Sequence, residues 1–405
     1  MSLRHTLLHI TKVALEAVRG DIVVKKSLSD LHYRQYCHQH CYLIAIGKAA
    51  ECMSLGAVAQ LDNAIKAGLI ISKTGHFNSK LQNDKRFQCI EADHPVPGSA
   101  SLQAGGKLLH FIQKLPEKAH CLFLISGGTS SLVEDLHPAW TLQELQQITQ
   151  YLLANAYSIA EINAVRRHIS TIKAGGLWQT LNKRQVTCLM ISDVEGDDPA
   201  VIGSGLLFPS RRDIPSTLPS KWQHRFQPFP AIKKRAFQWK IIATLEDAKQ
   251  AAASEAIKQG YRVEVDPSFL HGDANHVAKR CVQQLKHSKA DIIIWGGETT
   301  VNLPDQAPMG GRNQHIALAI ALEIQQSDYA FICIGTDGND GSCDVAGGLV
   351  DAKTIQKGEK SLLSAPKSLQ QANAHAFLKA SGDLIFTGTT GTNVMDLIIG
   401  IKEYL

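Results

Sequence analysis

The stretch Leu43-Ile44-Ala45-Ile46-Gly47-Lys48-Ala49-Ala50 decides the reading of this chain: a short apolar run stops on glycine and passes straight into helix-forming alanines. The same device recurs five times. The runs are Leu122-Phe123-Leu124-Ile125 before Ser126-Gly127-Gly128, Leu189-Met190-Ile191 before Ser192-Asp193, and Ile292-Ile293-Ile294-Trp295 before Gly296-Gly297-Glu298. Ile332-Cys333-Ile334 before Gly335-Thr336-Asp337 and Leu384-Ile385-Phe386 before Thr387-Gly388-Thr389 complete the set. Continuous apolar runs of this length predict strands buried on both faces, hence parallel sheets covered by helices. Ligands of such sheets bind beyond the carboxyl ends of the strands, where backbone N–H groups, hydroxyls and carboxylates here gather. That mixture suits a phosphate-bearing ligand and a metal.

A chain of 405 residues exceeds one ordinary core, so two domains are expected. Apolar residues at 44% and charged residues at 20% exclude wholesale disorder. A net charge of +5 is too small for a dedicated nucleic-acid binder. Nine cysteines, several inside apolar runs (Cys121, Cys188, Cys333), suit a reducing cytoplasm better than a disulfide framework. The N-terminus reads as an amphipathic helix (Leu3, Leu7, Leu8, Val13, Ala14, Val18) and not as a signal peptide. No apolar stretch is long enough for a membrane span. A monomer or homodimer is expected.

Residues 1 to about 205 alternate strand and helix patterns. Thr141-Leu142-Gln143-Glu144 reads as a capping box. Thr244-Leu245-Glu246-Asp247 opens an alanine-rich helix that Gly260 closes. Between them, 206–238 is rich in Pro and basic residues (Arg211, Arg212, Lys233, Lys234, Arg235) and reads as a surface connection. The domains are therefore placed at 1–230 and 231–405.

Several segments carry chemistry, each beside a plainer reading. Lys48 in a first helical turn opposes the macrodipole at about 0.3–1 kcal/mol, a cost that a bound anion reverses; otherwise it is a surface lysine. Ser126-Gly127-Gly128-Thr129-Ser130 is an anion nest or a tight turn with a hydroxyl cap. Thr387 to Asn393 repeats that logic, with Gly388, Thr390, Thr392 and Asn393 as candidate contacts. Asp193 and Asp197 after one strand, and Asp337 after another, are metal ligands or turn formers. Arg312, in Gly310-Gly311-Arg312-Asn313-Gln314, suits a planar oxyanion. Asn163 to Ser170, with Arg166 and Arg167, is a further basic cluster or a solvated helix face. Cys37-His38-Gln39-His40-Cys41 matches no standard zinc spacing. Neither a Walker A motif nor G-x-G-x-x-G occurs, which weighs against a dinucleotide cofactor.

Taken in order, these segments resemble the glycerate 2-kinase family, whose C-terminal half is the MOFRL domain. The resemblance rests on Ile46-Gly47-Lys48-Ala49-Ala50, Asp93-His94-Pro95-Val96-Pro97, Ser126 to Ser130, Asn163 to Ser170, Ile191-Ser192-Asp193-Val194 and Gly196-Asp197-Asp198-Pro199. It continues through Ser204-Gly205, Gly296 to Val301, Gly310 to Gln314, Gly335 to Gly338 with Asp340-Gly341, and Gly391-Thr392-Asn393-Val394. It implies two α/β domains with largely parallel sheets, a Rossmann-like one at the N-terminus, around an active-site cleft. It also implies ATP- and Mg²⁺-dependent phosphorylation of D-glycerate at the 2-hydroxyl. Lys48 and Arg312 are then the expected catalytic residues, with Asp193 as metal ligand or general base and Asp197 and Asp337 as further metal candidates. Ser126, Gly127, Gly128, Ser130, Ser192, Glu298, Asn313, Gly388, Thr390, Thr392 and Asn393 are the expected binding residues. The alternatives are an NAD(P)H-dependent hydroxypyruvate reductase and a diverged, inactive anion binder. The chain departs from the family pattern at Thr129, Ala174, Leu206 and His315. A Cβ at position 129 is expected to strain a loop that wants positive φ.

Overall fold

Each of the six apolar runs forms a strand. The computed structural model describes residues 2–30, 40–77, 79–155, 157–210, 213–226, 232, 236–304, 308–341 and 343–403. The Cys37–His38–Gln39 part of the cysteine–histidine segment and Arg211, Arg212 and Lys233–Arg235 lie outside them.

Two compact units emerge, Gly20–Ile242 and Met1–Arg19 with Ala243–Leu405. The expected boundary at 230/231 thus differs in two ways. Helix α1 (Leu3–Ala17) belongs to the C-terminal unit, because Leu7, Ile10 and Ala14 bury against Ile332 and Ile399. The strand that follows the connection joins the N-terminal sheet instead of starting the second domain.

The N-terminal sheet contains β1 (Cys41–Ile46), β2 (Ile65–Lys73), β3 (Phe87–Ala92), β4 (His120–Ile125), β5 (Gln185–Ile191) and β6 (Gln238–Ala243). Their spatial order is β3-β2-β1-β4-β5-β6, the doubly wound order. The β1–β2, β2–β3, β1–β4 and β4–β5 pairs are all parallel. All six residues of β4 are buried, each full-length aliphatic or aromatic side chain contributing roughly 1.5–3 kcal/mol. Helix α2 (Ala50–Leu61) follows β1 and stops at Leu61, ahead of β2, which begins at Ile65. The capping box at Thr141 is present: its hydroxyl accepts from Glu144 N, and its own N–H reaches Glu144 Oε2 at 2.8 Å. It opens α3 (Leu142–Ala154), and Ser158 caps α4 (Ile159–Ile169) in the same way.

The supposed surface connection is partly core. Leu206 and Leu207 join the main cluster under the sheet, while Leu218 and Trp222 pack with Trp140, Leu145 and Ile148. Leu206, Leu207, Leu218 and Trp222, sparse between prolines, escape a periodicity test yet are buried.

The C-terminal sheet contains β7 (Val263–Asp273), β8 (Ile292–Thr300), β9 (Tyr329–Gly335), β10 (Gly347–Asp351), β11 (Leu384–Ile385) and β12 (Asp396–Lys402), in the order β11-β10-β9-β12-β8-β7. Here the parallel expectation fails: only β7–β8 is parallel, and β8–β12, β9–β12, β9–β10 and β10–β11 are antiparallel. Helices cover both faces, so its strands read as apolar runs whatever their direction. Helix α5 (Leu245–Lys258) starts at Thr244 and ends before Gly260, at φ 91°. Helices α6 (Ala274–His287) and α7 (Arg312–Glu323) complete the cover used below. No described helix is long and apolar enough to cross a membrane.

Candidate active site

In a doubly wound sheet the ligand crevice opens where strand order reverses, here between β1 and β4. Ile46 and Ile125 are register partners, so the two exits, Gly47-Lys48 and Ser126-Gly127-Gly128, are neighbours. They are stitched together. Lys48 N donates to Gly127 O at 2.8 Å and Ala49 N to Ser126 Oγ at 3.1 Å. Ser72 Oγ, on β2, donates to Gly47 O at 2.9 Å. Gly47 has φ 132°, and a Cβ there would lie 2.1 Å from Ser126 Oγ. The close approach of the exits therefore needs glycine.

Gly128 is left-handed at φ 85°, and a Cβ on it would sit 3.2 Å from Lys48 Cγ and 3.1 Å from His94 Cδ2. The Lys48 stem and the His94 ring thus flank this turn. Lys48 is half-buried, and its stem lies against the loop. His76 Nδ1 lies 3.1 Å from Lys48 O. His94 and His76 border this candidate site, and composition and spacing did not mark them.

Thr129 carries no strain. It opens a short helix, Thr129–Leu132, and the positive φ belongs to Gly128. Its buried hydroxyl is shared between Ser126 O at 2.7 Å and Ile46 O at 2.9 Å. The threonine therefore ties the two exits together. Ser126 is fully buried and spends its hydroxyl on Ala49 N, while Ser130 Oγ pairs with Ser204 Oγ at 2.8 Å. Gly127 and Gly128 are left to present backbone. At the neighbouring exit of β5, Ser192 is buried and Asp193 half-buried. Asp197, at φ 51°, sits in the turn Glu195–Asp197.

In the C-terminal unit, the ends of β8 and β9 and the start of β12 meet: Asp396 pairs with Gly297 on one side and Gly335 on the other. Arg312, first residue of α7, grips Asp396 with its fork, Nε–Oδ2 at 2.5 Å and Nη2–Oδ1 at 3.2 Å. Its Nη1 donates to Glu298. The anion that offsets a cation at a helix start is thus supplied by the protein, not only by a ligand. The orphan N–H groups of α7 go to Asp340, which accepts from Asn313 N at 2.9 Å and Gln314 N at 2.8 Å. Burial pushes Asp396 up to about 6 although Arg312 pulls it down, and burial likewise raises Asp340. Asp396 was missed, although an aspartate abutting an apolar run was the available signal; Asp340 stood among the strand-exit carboxylates, but not as the partner of a helix start.

Asn313 is buried and turns its amide toward Asp340 at 3.3 Å. Gly388 and Gly391 are both left-handed. Thr390 Oγ1 donates to Thr336 O at 2.6 Å, pinning the 387–393 loop to the β9 exit. Asn393 is buried, and Thr392 Oγ1 is buried with no partner among the described residues, an orphan in the loop expected to hold anionic oxygens. His315 is buried, with Nε2 3.2 Å from Asn275 Oδ1, and burial pulls its pKa down.

The expected metal ligands do not form an all-protein cage: among the described residues no three His, Cys, Asp or Glu side chains converge. Mg²⁺ on a nucleotide needs only one or two carboxylates beside phosphates and waters, so the half-buried Asp193 and Asp197 suit it. Asp337 is less suited, since its Oδ1 already accepts from Asn339 N at 3.0 Å as a turn former.

Comparison with known protein families matches two segments. Residues 6–225 match the family described as "Domain of unknown function (DUF4147)", and residues 291–396 match the MOFRL family. The chain is 33% identical to the D-glycerate 2-kinase of Thermotoga maritima, over 99% of this chain and 98% of that protein. It is 31% identical to the glycerate 2-kinase of Pyrococcus horikoshii, over 89% and 87%. A crystal structure of a glycerate kinase from Thermotoga maritima superposes with a TM-score of 0.85 at 30% identity, covering 99% of both chains.

Proposed function

The chain belongs to the glycerate 2-kinase family with a C-terminal MOFRL domain, and on that premise we propose that it phosphorylates D-glycerate at the 2-hydroxyl, using ATP, to give 2-phosphoglycerate. The observation that carries this reading is Lys48 lying against the left-handed Gly128 turn, at the point where the N-terminal sheet reverses its strand order. Phosphoryl transfer asks a protein mainly for positioning and charge stabilisation, and a lysine beside a rigid backbone turn supplies both. The Gly47–Ser126 contact and the Thr129 hydroxyl hold this geometry before any ligand arrives. Gly127 and Gly128 offer backbone to anionic oxygens. Lys48 faces the transferring phosphoryl group. Asp193 takes the metal or the 2-hydroxyl proton, with Asp197 as second carboxylate. Mg²⁺, when bound, neutralises phosphate charge.

In the C-terminal unit, Asp396 fixes the Arg312 guanidinium, and the half-exposed Glu298 is the partner that an incoming oxyanion replaces. The 387–393 loop, with its orphaned Thr392 hydroxyl, is the further anion site there. The protein acts in the cytoplasm as a monomer or homodimer. Three of the four departures from the family pattern do not favour the inactive alternative: Thr129 is helical, Leu206 is core, and Ala174 takes the left-handed φ of 50° itself.

The test is one coupled assay with D-glycerate, ATP and Mg²⁺, run beside hydroxypyruvate with NADH and with NADPH. Glycerate-dependent ADP release supports the kinase. Hydroxypyruvate-dependent oxidation of either nicotinamide, without ADP release, replaces it with the reductase.

A further inference from the structure

Beneath the loop 126–131 lies a cluster of charge that the proposed reaction does not yet use. Arg166, in the last turn of α4, donates from Nη2 to Ser130 O at 3.1 Å. Its Nε is buried and has no partner among the described residues. The carboxylate that acts on Arg166 is Glu134, and Glu134 already holds the ammonium of Lys173 in a fully buried ion pair. Two cations therefore share one carboxylate, and one of them, Arg166, bonds the loop at Ser130. Burial pulls Lys173 down to about 8 and lowers Arg166 as well, Glu134 opposes both shifts, and Arg166 adds to the lowering of Lys173.

A surplus buried charge is costly unless something compensates it. The carboxyl end of α4 offers part of that compensation, which lets the cluster fold without a ligand. The remainder is available on the open side, where Ser130, held by Arg166 through its carbonyl and by Ser204 through its hydroxyl, borders the turn.

The geometry points to Arg166 as a positioning residue: together with the Glu134–Lys173 pair it gives the 126–130 loop a net positive floor that recruits an oxyanion, the carboxylate of glycerate or a phosphate of the nucleotide. This rests on the loop being the anion site of the proposed kinase.

The experiment is calorimetric binding of D-glycerate and of ATP, as separate probes, to the intact protein and four variants, with circular dichroism as the folding control. Gly128→Ala tests the loop alone: loss of one probe identifies that probe as the loop's ligand, and unchanged binding of both overturns the anion-site reading and this inference with it. For the probe so identified, Arg166→Gln keeps a donor for Ser130 O without charge and weakens binding about tenfold, whereas Arg166→Lys keeps the charge and stays within about threefold. A merely structural role would be served by glutamine, so a folded Arg166→Gln that binds like the parent overturns the inference. Should Arg166 variants fail to fold, Glu134→Gln/Lys173→Met decides: it removes the pair but keeps the single positive surplus, and loss of the probe in that folded variant also overturns it.

Discussion

Replacing Thr129 by glycine separates two readings of the nest by sign. Read from sequence, threonine at this position strains a loop that wants glycine, and Thr129→Gly should relieve about 1–3 kcal/mol. The structure gives the opposite. Thr129 is helical, so glycine relieves nothing and adds unfolded-state entropy, about 0.4–1 kcal/mol. The substitution also deletes a buried hydroxyl bonded to Ser126 O and Ile46 O, a loss of about 0.5–1.5 kcal/mol. Two buried carbons disappear from the contact with Gly203, at about 0.8 kcal/mol each. Together these come to a destabilisation of about 3 kcal/mol, because the three losses act at one site in one direction. Urea unfolding followed by circular dichroism measures it, and Thr129→Ser, which keeps the hydroxyl, should recover more than half. Turnover of the glycine variant should fall too, since the tie between the β1 and β4 exits sets where Lys48 lies. A glycine variant as stable as the parent, or more so, would refute the reasoning.

Three further outcomes follow from the site. Lys48→Ala should lower kcat/KM for glycerate phosphorylation by about 10²–10³ with an unchanged circular dichroism spectrum, the scale of one preorganised donor; near-parental turnover removes Lys48 from the chemistry. A chelator should abolish phosphorylation and added Mg²⁺ restore it, whereas full activity in chelator excludes the metal. Asp396, raised by burial to about 6, should give an acid limb in kcat near that pH, because protonation dissolves its ion pair with Arg312; Asp396→Asn should remove the limb. Stability runs the other way. A carboxyl that binds its proton more tightly when folded contributes fully below the ordinary aspartate range and loses that contribution as pH rises through about 6, so chemical unfolding at pH 4 and pH 7 checks the sign.

What the sequence disclosed was local, and what it concealed was long-range. A strand exit is written in five or six consecutive residues, so all six apolar runs are strands, and Gly47-Lys48 falls at the crevice of the N-terminal sheet. Strand direction has no such signature: covered on both faces, β9 and β12 look alike although they run antiparallel. Partners distant in sequence were equally hidden. Arg312 was read as awaiting an anion because its own helix offered none, yet Asp396 lies 84 residues on and reaches it through the sheet. Likewise the connection 206–238 looked solvated because its prolines broke every period, while Leu218 and Trp222 were already committed to the core around Trp140. Thr129 and Arg312 show the same error. Each was judged against its neighbours in sequence, where it looked unfavourable, and each is satisfied by a neighbour in space: two carbonyl oxygens for the hydroxyl, two carboxylates for the guanidinium. A local misfit therefore marked a crowded strand exit or helix start and misjudged what satisfies the residue there. Arg166 differs from both, because its spatial neighbours include one carboxylate that a second cation already occupies, and its misfit survives folding. A misfit that tertiary structure does not resolve is the stronger indication of a ligand.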